Sequence, residues 1–372
     1  MTRVLILSHA ADIHVSAVEW ALRRSGHSPV VWRMDRFPGR QSAALRIPPE
    51  GDPTLALEGI ADLAGGQEFD TVWSRRMARP TLHPDLHPSD RMIASREARF
   101  FLEGTLRLLA PAARWVNPLD GRYRAICKPL QLHAARAAGL AVPDTLIAND
   151  PEAIRGFVDR HAGQVVIKPF FPASWQAAER LHTFYATRFD AAVLANEFAV
   201  RAAPAIFQPA LPREYELRIT VMGQTCFAAR IDPPPADAPE VIDWKQDLYR
   251  RELTPYDLPD AVREGCLGLM RRLGIVFGCI DIIRQPDGTY SFLEVNEMGA
   301  FLWVEEYAPS LPLLAAFCDF ICDGSADFRW QPRGARPGIW DFRAAPEFAI
   351  FEEENDPDLL RQQYQMTVEE VG

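Results

Sequence analysis

FGCIDIIRQPDGTYSFLEVN, residues 277–296, reads as two apolar strands on either side of a Pro-Asp-Gly turn, with Asp281, Glu294 and Asn296 set among core-type residues. Glu294 and Asn296 are two apart and so face one side of their strand, while Asp281 sits on the neighbouring strand across the turn. Two carboxylates and an amide oxygen can then converge. Hard divalent cations such as magnesium take such ligands together with nucleotide phosphates, and a converging anionic pair is costly to bury without a cation. Ion pairing of Asp281 and Glu294 with Arg284 or another base is the alternative use of the same residues.

Upstream, ELRITVMGQTCFAARID, residues 216–232, reads as two antiparallel strands turning at Gly223 and Gln224. QVVIKPF, residues 164–170, is a short apolar strand that delivers Lys168 into a loop. KPLQLHAARAAG, residues 128–139, is a helix opened by Lys128 and Pro129 and stopped by Gly139. A loop, VPDT, and a helix near Pro151 to His161 separate these two segments. Lysines are most often solvated, but two lysines beside an oxygen triplet supply the cations and the metal site that phosphoryl transfer needs.

The first 116 residues have a different rhythm. VLILSH as a strand, VSAVEWALRRSG as a helix closed at Gly26, and PVVWRM as a second strand make a βαβ opening. No GxGxxG follows the first strand, which disfavours a dinucleotide-binding unit. The proline- and histidine-rich segment from Pro80 to Pro88 marks a connection, a helix runs from about Ser89 to Leu109, and a domain boundary falls near Asn117.

With 40 Lys and Arg against 50 Asp and Glu, the net charge of −10 argues against nucleic-acid binding. No apolar run approaches the roughly 20 residues of a membrane span, and the N-terminus lacks signal-peptide features, so the expected location is the cytoplasm. The six cysteines are scattered; Cys318 and Cys322, four apart on an apolar stretch, read as buried free thiols rather than zinc ligands.

Taken in order, KPLQLHAARAAGLAVPDT, VVIKPF, IFQPALPREYELRITVMG and FGCIDIIRQPDGTYSFLEVN resemble the ATP-grasp fold over roughly residues 117 to 320. Finer features, namely TVWSRR near Arg75, WVNPLDGRYRAICKPLQ, HTFYAT, VIDWKQ and FLEVNEMGAFLWVEE, resemble the MvdD-like graspetide ligases. The resemblance implies an α/β and α+β chain. A pre-ATP-grasp α/β domain spans 1–116, a central ATP-grasp lobe 117–207, a C-terminal lobe with the metal site 208–323, and an extension 324–372 of unassigned role.

By position, the resemblance makes Lys128 and Lys168 phosphate contacts, Gln208, Pro209, Ala210 and Leu211 the adenine-facing hinge, and Glu216 the ribose carboxylate. Arg218 becomes a phosphate or acyl-phosphate contact, catalytic together with Lys168, and Asp281, Glu294 and Asn296 become the magnesium ligands. The implied cofactors are ATP and Mg2+, and the implied partner is a precursor peptide with its leader, with homodimer formation left open. The implied activity is activation of side-chain carboxylates as acyl phosphates, followed by ω-ester or ω-amide formation with Ser, Thr or Lys.

Two departures bear on substrate. Glu297, Met298, Gly299 and Ala300 replace the family's usual Pro-Asn-Gly-Gln run, and Lys245 follows Asp243 and Trp244 where arginine is commoner. The competing readings are a RimK-like ligase for a free amino acid or small carboxylate, and a non-catalytic nucleotide-binding protein; the intact lysines and oxygen triplet argue against the latter. His9 and His14 read as loop or core histidines, and Ser174 as an exposed loop serine. Arg75 and Arg76, after a predicted strand, are either part of a peptide-docking surface or a solvated loop.

Overall fold

The computed structural model describes residues 1–9, 12–60, 69–76, 80–170, 173–177, 180–233, 242, 252–334 and 336–354, with the side chains of 171–184 and 354 left aside. The apolar opening forms β1 (Arg3–Ser8), α1 (Ile13–Arg24) and β2 (Ser28–Arg33), the βαβ alternation of apolar strand and amphipathic helix read from the sequence. A hairpin, β3 (Ala43–Arg46) and β4 (Thr54–Leu57), precedes β5 (Thr71–Ser74), α2 (Arg91–Leu108) and β6 (Arg114–Val116). The four parallel strands lie in the order β2-β1-β5-β6. A parallel sheet is covered on both faces, and β1 shows it: Val4 and Ile6 pack into one cluster, Leu5 and Leu7 into another.

Next come α3 (Leu119–Ala125), α4 (Lys128–Ala137), β7 (Leu146–Ala148), α5 (Pro151–Arg160) and β8 (Val165–Lys168). They are followed by the hairpin β9 (Ala173–Ala177) and β10 (Arg180–Phe184), then β11 (Thr187–Arg188), α6 (Glu197–Ala202) and β12 (Ala205–Pro209). Strands β11-β8-β12-β7 make a small antiparallel sheet around Ile154, Phe157, Val165 and Phe207.

The larger antiparallel sheet, in the order β15-β14-β13-β16-β17, is built from β13 (Tyr215–Met222), β14 (Thr225–Ile231), β15 (Leu253–Pro255), β16 (Phe277–Arg284) and β17 (Tyr290–Asn296). The turn at Gly223 takes φ +59°, which only glycine adopts at low cost. Helix α7 (Asp260–Leu273) lies against α4, and α4 also meets β17, so α3 and α4 pack with this sheet.

The described residues end with α8 (Leu302–Tyr307), α9 (Leu313–Asp323), α10 (Ile339–Arg343) and α11 (Pro346–Glu354). The segment after Gly324, unassigned from sequence, returns to the N-terminal domain: α10 and α11 pack on α1 beside α9. Phe317 of α9 joins the two units, its ring 4.8 Å from Trp73 of β5 and 4.8 Å from Phe277 of β16. Such aromatic pairs add about 0.5–1.5 kcal/mol each beyond the area they bury. Cys318 is buried and Cys322 half-buried, both free thiols. Among the described residues no helix is long and apolar enough to cross a membrane.

Candidate functional site

The two faces of the larger sheet differ in chemistry because side chains alternate along a strand. Leu217, Ile219 and Val221 of β13, Ile280 and Ile282 of β16, and Phe292 and Val295 of β17 turn to the core under α4 and α7. The opposite face receives Glu216, Arg218 and Thr220, then Cys279 and Asp281, then Glu294 and Asn296. A register shift between Asp281 and Ile282 makes this compatible: Asp281 pairs with Glu294 but Ile282 with Phe292, so Leu293 is passed over. That bulge lets Phe292 and Val295 both face inward while Glu294 stays beside Asp281.

Two polar rows result, Arg218–Asp281–Glu294 and Thr220–Cys279–Asn296. Arg218 Nη1 donates to Asp281 Oδ1 at 2.8 Å, and both residues are buried, 2% and 3% exposed. Lys128, the first residue of α4, sends its Nζ to Glu294 Oε2 at 2.6 Å. Cation, anion, anion and cation therefore line up across four elements, β13, β16, β17 and α4. Burial alone would lower the Arg218 pKa, but the Asp281 carboxylate, together with Cys279 and Glu294 nearby, outweighs it and raises it. The ion-pair alternative seen in the sequence is thus realised, with Arg218 and Lys128 rather than Arg284, which reaches Glu214 at 3.3 Å.

The other sequence-derived positions lie around this row. Lys168 ends β8 opposite Ile206 of β12, and Gln208 lies two residues further along β12, opposite Val166, its Nε2 donating to Thr145 Oγ1 at 2.9 Å. Pro209 ends β12, and Ala210 and Leu211 lead out of the small sheet toward β13, with Ala210 N donating to Gln164 O at 2.8 Å. Glu216, two residues before Arg218, pairs with Arg213 Nη1 at 3.0 Å. Asp243, Trp244 and Lys245 and the side chain of Ser174 lie outside the described residues. Among the described residues there is no group of three or more His, Cys, Asp and Glu that could hold a metal; the oxygen set here is two carboxylates and Asn296.

Beyond Asn296 the chain makes a tight loop whose backbone is held by side chains from elsewhere. Asn296 Oδ1 accepts from Gly299 N at 3.2 Å. Gly299 has φ +62°, and a Cβ there would come within 2.6 Å of the Phe277 ring, so only glycine fits. Glu297 is buried 3.5 Å from Arg122 Nε, and burial raises its pKa against the pull of that guanidinium.

Asn117, read from sequence only as a boundary, is a staple. Its Nδ2 donates to Phe277 O and Glu297 O, and its Oδ1 accepts from Val276 N and Phe277 N, all at 2.8 Å. No periodicity signals such a residue.

Arg75 corrects both sequence readings. It is neither solvated nor available for docking, being 1% exposed, with Nε 3.2 Å from Asp12 Oδ2 and Nη1 donating to Met298 O at 3.0 Å. Arg76 Nε also approaches Asp12, at 3.3 Å, and its Nη1 lies 3.1 Å from His9 Nε2.

His14 is a core histidine, as expected. Its Nε2 accepts from Phe301 N at 3.1 Å and Leu302 N at 3.3 Å, so the ring is neutral. Burial first, then Arg75, depress its pKa from 6.5 to about 4. The unfolded chain then takes up a proton between those values that the folded chain refuses. Stability from this group is full above pH 6.5 and is lost as pH falls toward 4. Urea unfolding of the unsubstituted chain from pH 7 to pH 4 should show that loss, and His14→Gln should flatten it; parallel pH profiles would refute the account.

Residues 3–122 match the family model of the MvdD pre-ATP-grasp domain. Among solved structures, macrocyclase MdnC of Microcystis aeruginosa MRC, bound with precursor peptide MdnA, is 28% identical with a TM-score of 0.76, over 87% of this chain and 100% of its own. A RiPP-associated ATP-grasp ligase of Chryseobacterium gregarium, in complex with ADP and a leader and core peptide, is 25% identical with a TM-score of 0.77, over 89% of this chain and 100% of its own. Macrocyclase MdnB of Microcystis aeruginosa MRC is 27% identical with a TM-score of 0.69, over 86% and 99%. No curated protein matches the sequence. A pre-ATP-grasp domain followed by two α+β lobes makes this chain an ATP-grasp ligase. Within that class its likeness is to the MvdD-like graspetide maturases, carried by the domain match over residues 3–122 and by the solved structures just described.

Proposed function

We propose that the chain activates side-chain carboxylates of a ribosomal precursor peptide as acyl phosphates and closes them into ω-ester or ω-amide cross-links, using ATP and magnesium. The observation that carries this reading is the Arg218–Asp281–Glu294–Lys128 row on the face of the sheet away from its core. Carboxylate and amide oxygens of Asp281, Glu294 and Asn296 are the donor type a hard divalent cation takes. Magnesium, when bound, offsets the charge that gathers on the phosphates during transfer.

Each anion of the row is matched to a cation, which removes the cost of two unbalanced carboxylates side by side. Where Glu294 gives an oxygen to the metal, Lys128 beside it can meet a phosphate. Lys168 holds a phosphate from the small sheet, Gln208 to Leu211 line the adenine between the sheets, and Glu216 takes the ribose hydroxyls. Arg218, fixed between Asp281 Oδ1 and Ala300 O at 2.8 Å each, has its plane locked for contact with the acyl phosphate.

The peptide substrate rests on the relatives: MdnC is bound with a precursor peptide, and the Chryseobacterium ligase with a leader and core peptide. In the reaction a substrate carboxylate oxygen attacks the γ-phosphorus and ADP leaves; a hydroxyl or amine of the same peptide then attacks the acyl carbon and phosphate leaves. Holding both groups on one enzyme makes the second step effectively unimolecular, and each bond removes one water, about 18 Da. Incubating a candidate precursor encoded beside this gene, rich in Thr, Ser, Lys, Asp and Glu, with ATP and magnesium should give successive losses of that mass. ADP release with a free amino acid and no change in any encoded peptide would overturn the peptide reading in favour of a small-molecule ligase.

A further inference from the structure

We infer that Arg75 is a positioning residue for the oxygen set on β17, so that the N-terminal domain tunes how tightly the site holds a divalent cation; this rests on the magnesium reading above. Asn296 ends β17, and its side-chain oxygen is tied to Gly299 N at 3.2 Å, so the loop after it sets where that oxygen points. The loop's carbonyls are held in turn: Glu297 O by Asn117, Met298 O by Arg75, and Ala300 O by Arg218 and Trp303. Phe301 N and Leu302 N both donate to His14 Nε2.

Two of these arms, Arg75 and His14, come from the N-terminal domain and share one anchor. Asp12 Oδ2 lies 3.2 Å from Arg75 Nε, and Asp12 Oδ1 lies 3.4 Å from His14 Nδ1. Asp12 is buried and caps α1, its Oδ1 accepting from His14 N at 3.0 Å, so the anchor belongs to the start of a helix inside the domain's core. The guanidinium plane lets Arg75 meet Asp12 with one edge and Met298 O with another; a lysine ammonium is a point charge and cannot hold that plane. On the far side Gly299 abuts the Phe277 ring, which leaves the loop no room to slide toward the sheet. Partners of metal ligands orient those ligands, and their loss costs about 10–100-fold in metal affinity.

The test is Arg75→Lys in the full chain, with Mn2+ as the probe. Bound Mn2+ is counted by electron paramagnetic resonance in the presence of ADP, and ADP binding without divalent cation is measured by calorimetry. The expected result is Mn2+ affinity weakened about tenfold or more with divalent-free ADP affinity unchanged. Unchanged Mn2+ affinity in a folded Arg75→Lys protein overturns the inference, and so does a parallel fall in both affinities, which would report a general loss of structure. No ADP-dependent Mn2+ binding by the unsubstituted chain would overturn the metal assignment itself, and the positioning role with it. Should Arg75→Lys fail to fold, the second arm decides: His14→Ala should weaken Mn2+ binding and His14→Gln, which keeps an acceptor, should restore part of it; equal affinity in both overturns the inference.

Discussion

Glu294→Gln should lower ligation turnover by on the order of a hundredfold or more, the typical loss when one positioned electrostatic stabiliser is removed. The substitution keeps the shape of the side chain on β17 and its place opposite Asp281. It removes one negative charge from the row and leaves Lys128, now at 2.6 Å from Glu294 Oε2, without an ionic partner at that position. Folding should hardly change: the Lys128 and Glu294 side chains are 19% and 28% exposed, and partly solvated pairs of this kind contribute below about 1 kcal/mol. Function and stability therefore separate in this variant. The defect should ease at raised magnesium, because a weakened site fills by mass action. Turnover equal to that of the unsubstituted chain at limiting magnesium would remove Glu294 from the metal set.

What was legible in the sequence is what periodicity writes. The βαβ opening, the helix from Lys128, the turn at Gly223 and the hairpin around Asp287 and Gly288 all appear where the apolar alternation and turn residues put them. Asp281 and Glu294 could be placed side by side for the same reason, since a strand's two faces are read directly from a period of two. The bulge at Leu293 was not legible, because an extra residue between two apolar positions leaves no mark on composition.

Nor was the loop that follows. Its Glu297-Met298-Gly299-Ala300 run differs from the family's usual one yet keeps glycine in third place, and the structure supplies the reason in the positive φ of Gly299 against Phe277. Arg75, Asp12, His14 and Asn117 escape sequence reasoning for a related cause. Each acts on backbone groups between 159 and 288 residues away, or through a neighbour that does, and a backbone carbonyl carries no sequence signal. The acidic balance of the chain likewise says nothing of where its buried pairs lie.

Arg218→Met should be the most destabilising single change at the site, and Arg218→Met combined with Asp281→Leu should be more stable than Arg218→Met alone while remaining inactive. Arg218 and Asp281 face each other across β13 and β16, both almost fully buried, at 2.8 Å. Removing one partner of such a pair typically costs about 3–5 kcal/mol, because the remaining charge keeps its desolvation penalty without the attraction that offset it. Ala300 O is the lesser concern, since Trp303 Nε1 also donates to it at 2.9 Å. Replacing the second charge by an apolar side chain removes that penalty, and exchanging a buried pair for well-packed hydrophobic residues is often neutral or stabilising. Stability should thus fall and then largely return, whereas ligation should fall and stay lost, because the double variant lacks both the proposed acyl-phosphate contact and one of the proposed metal oxygens. Urea midpoints and precursor mass shifts read the two properties independently. A double variant no more stable than Arg218→Met would show that the pair is not the dominant electrostatic element of this face, and ligation surviving in either variant would remove Arg218 from the reaction.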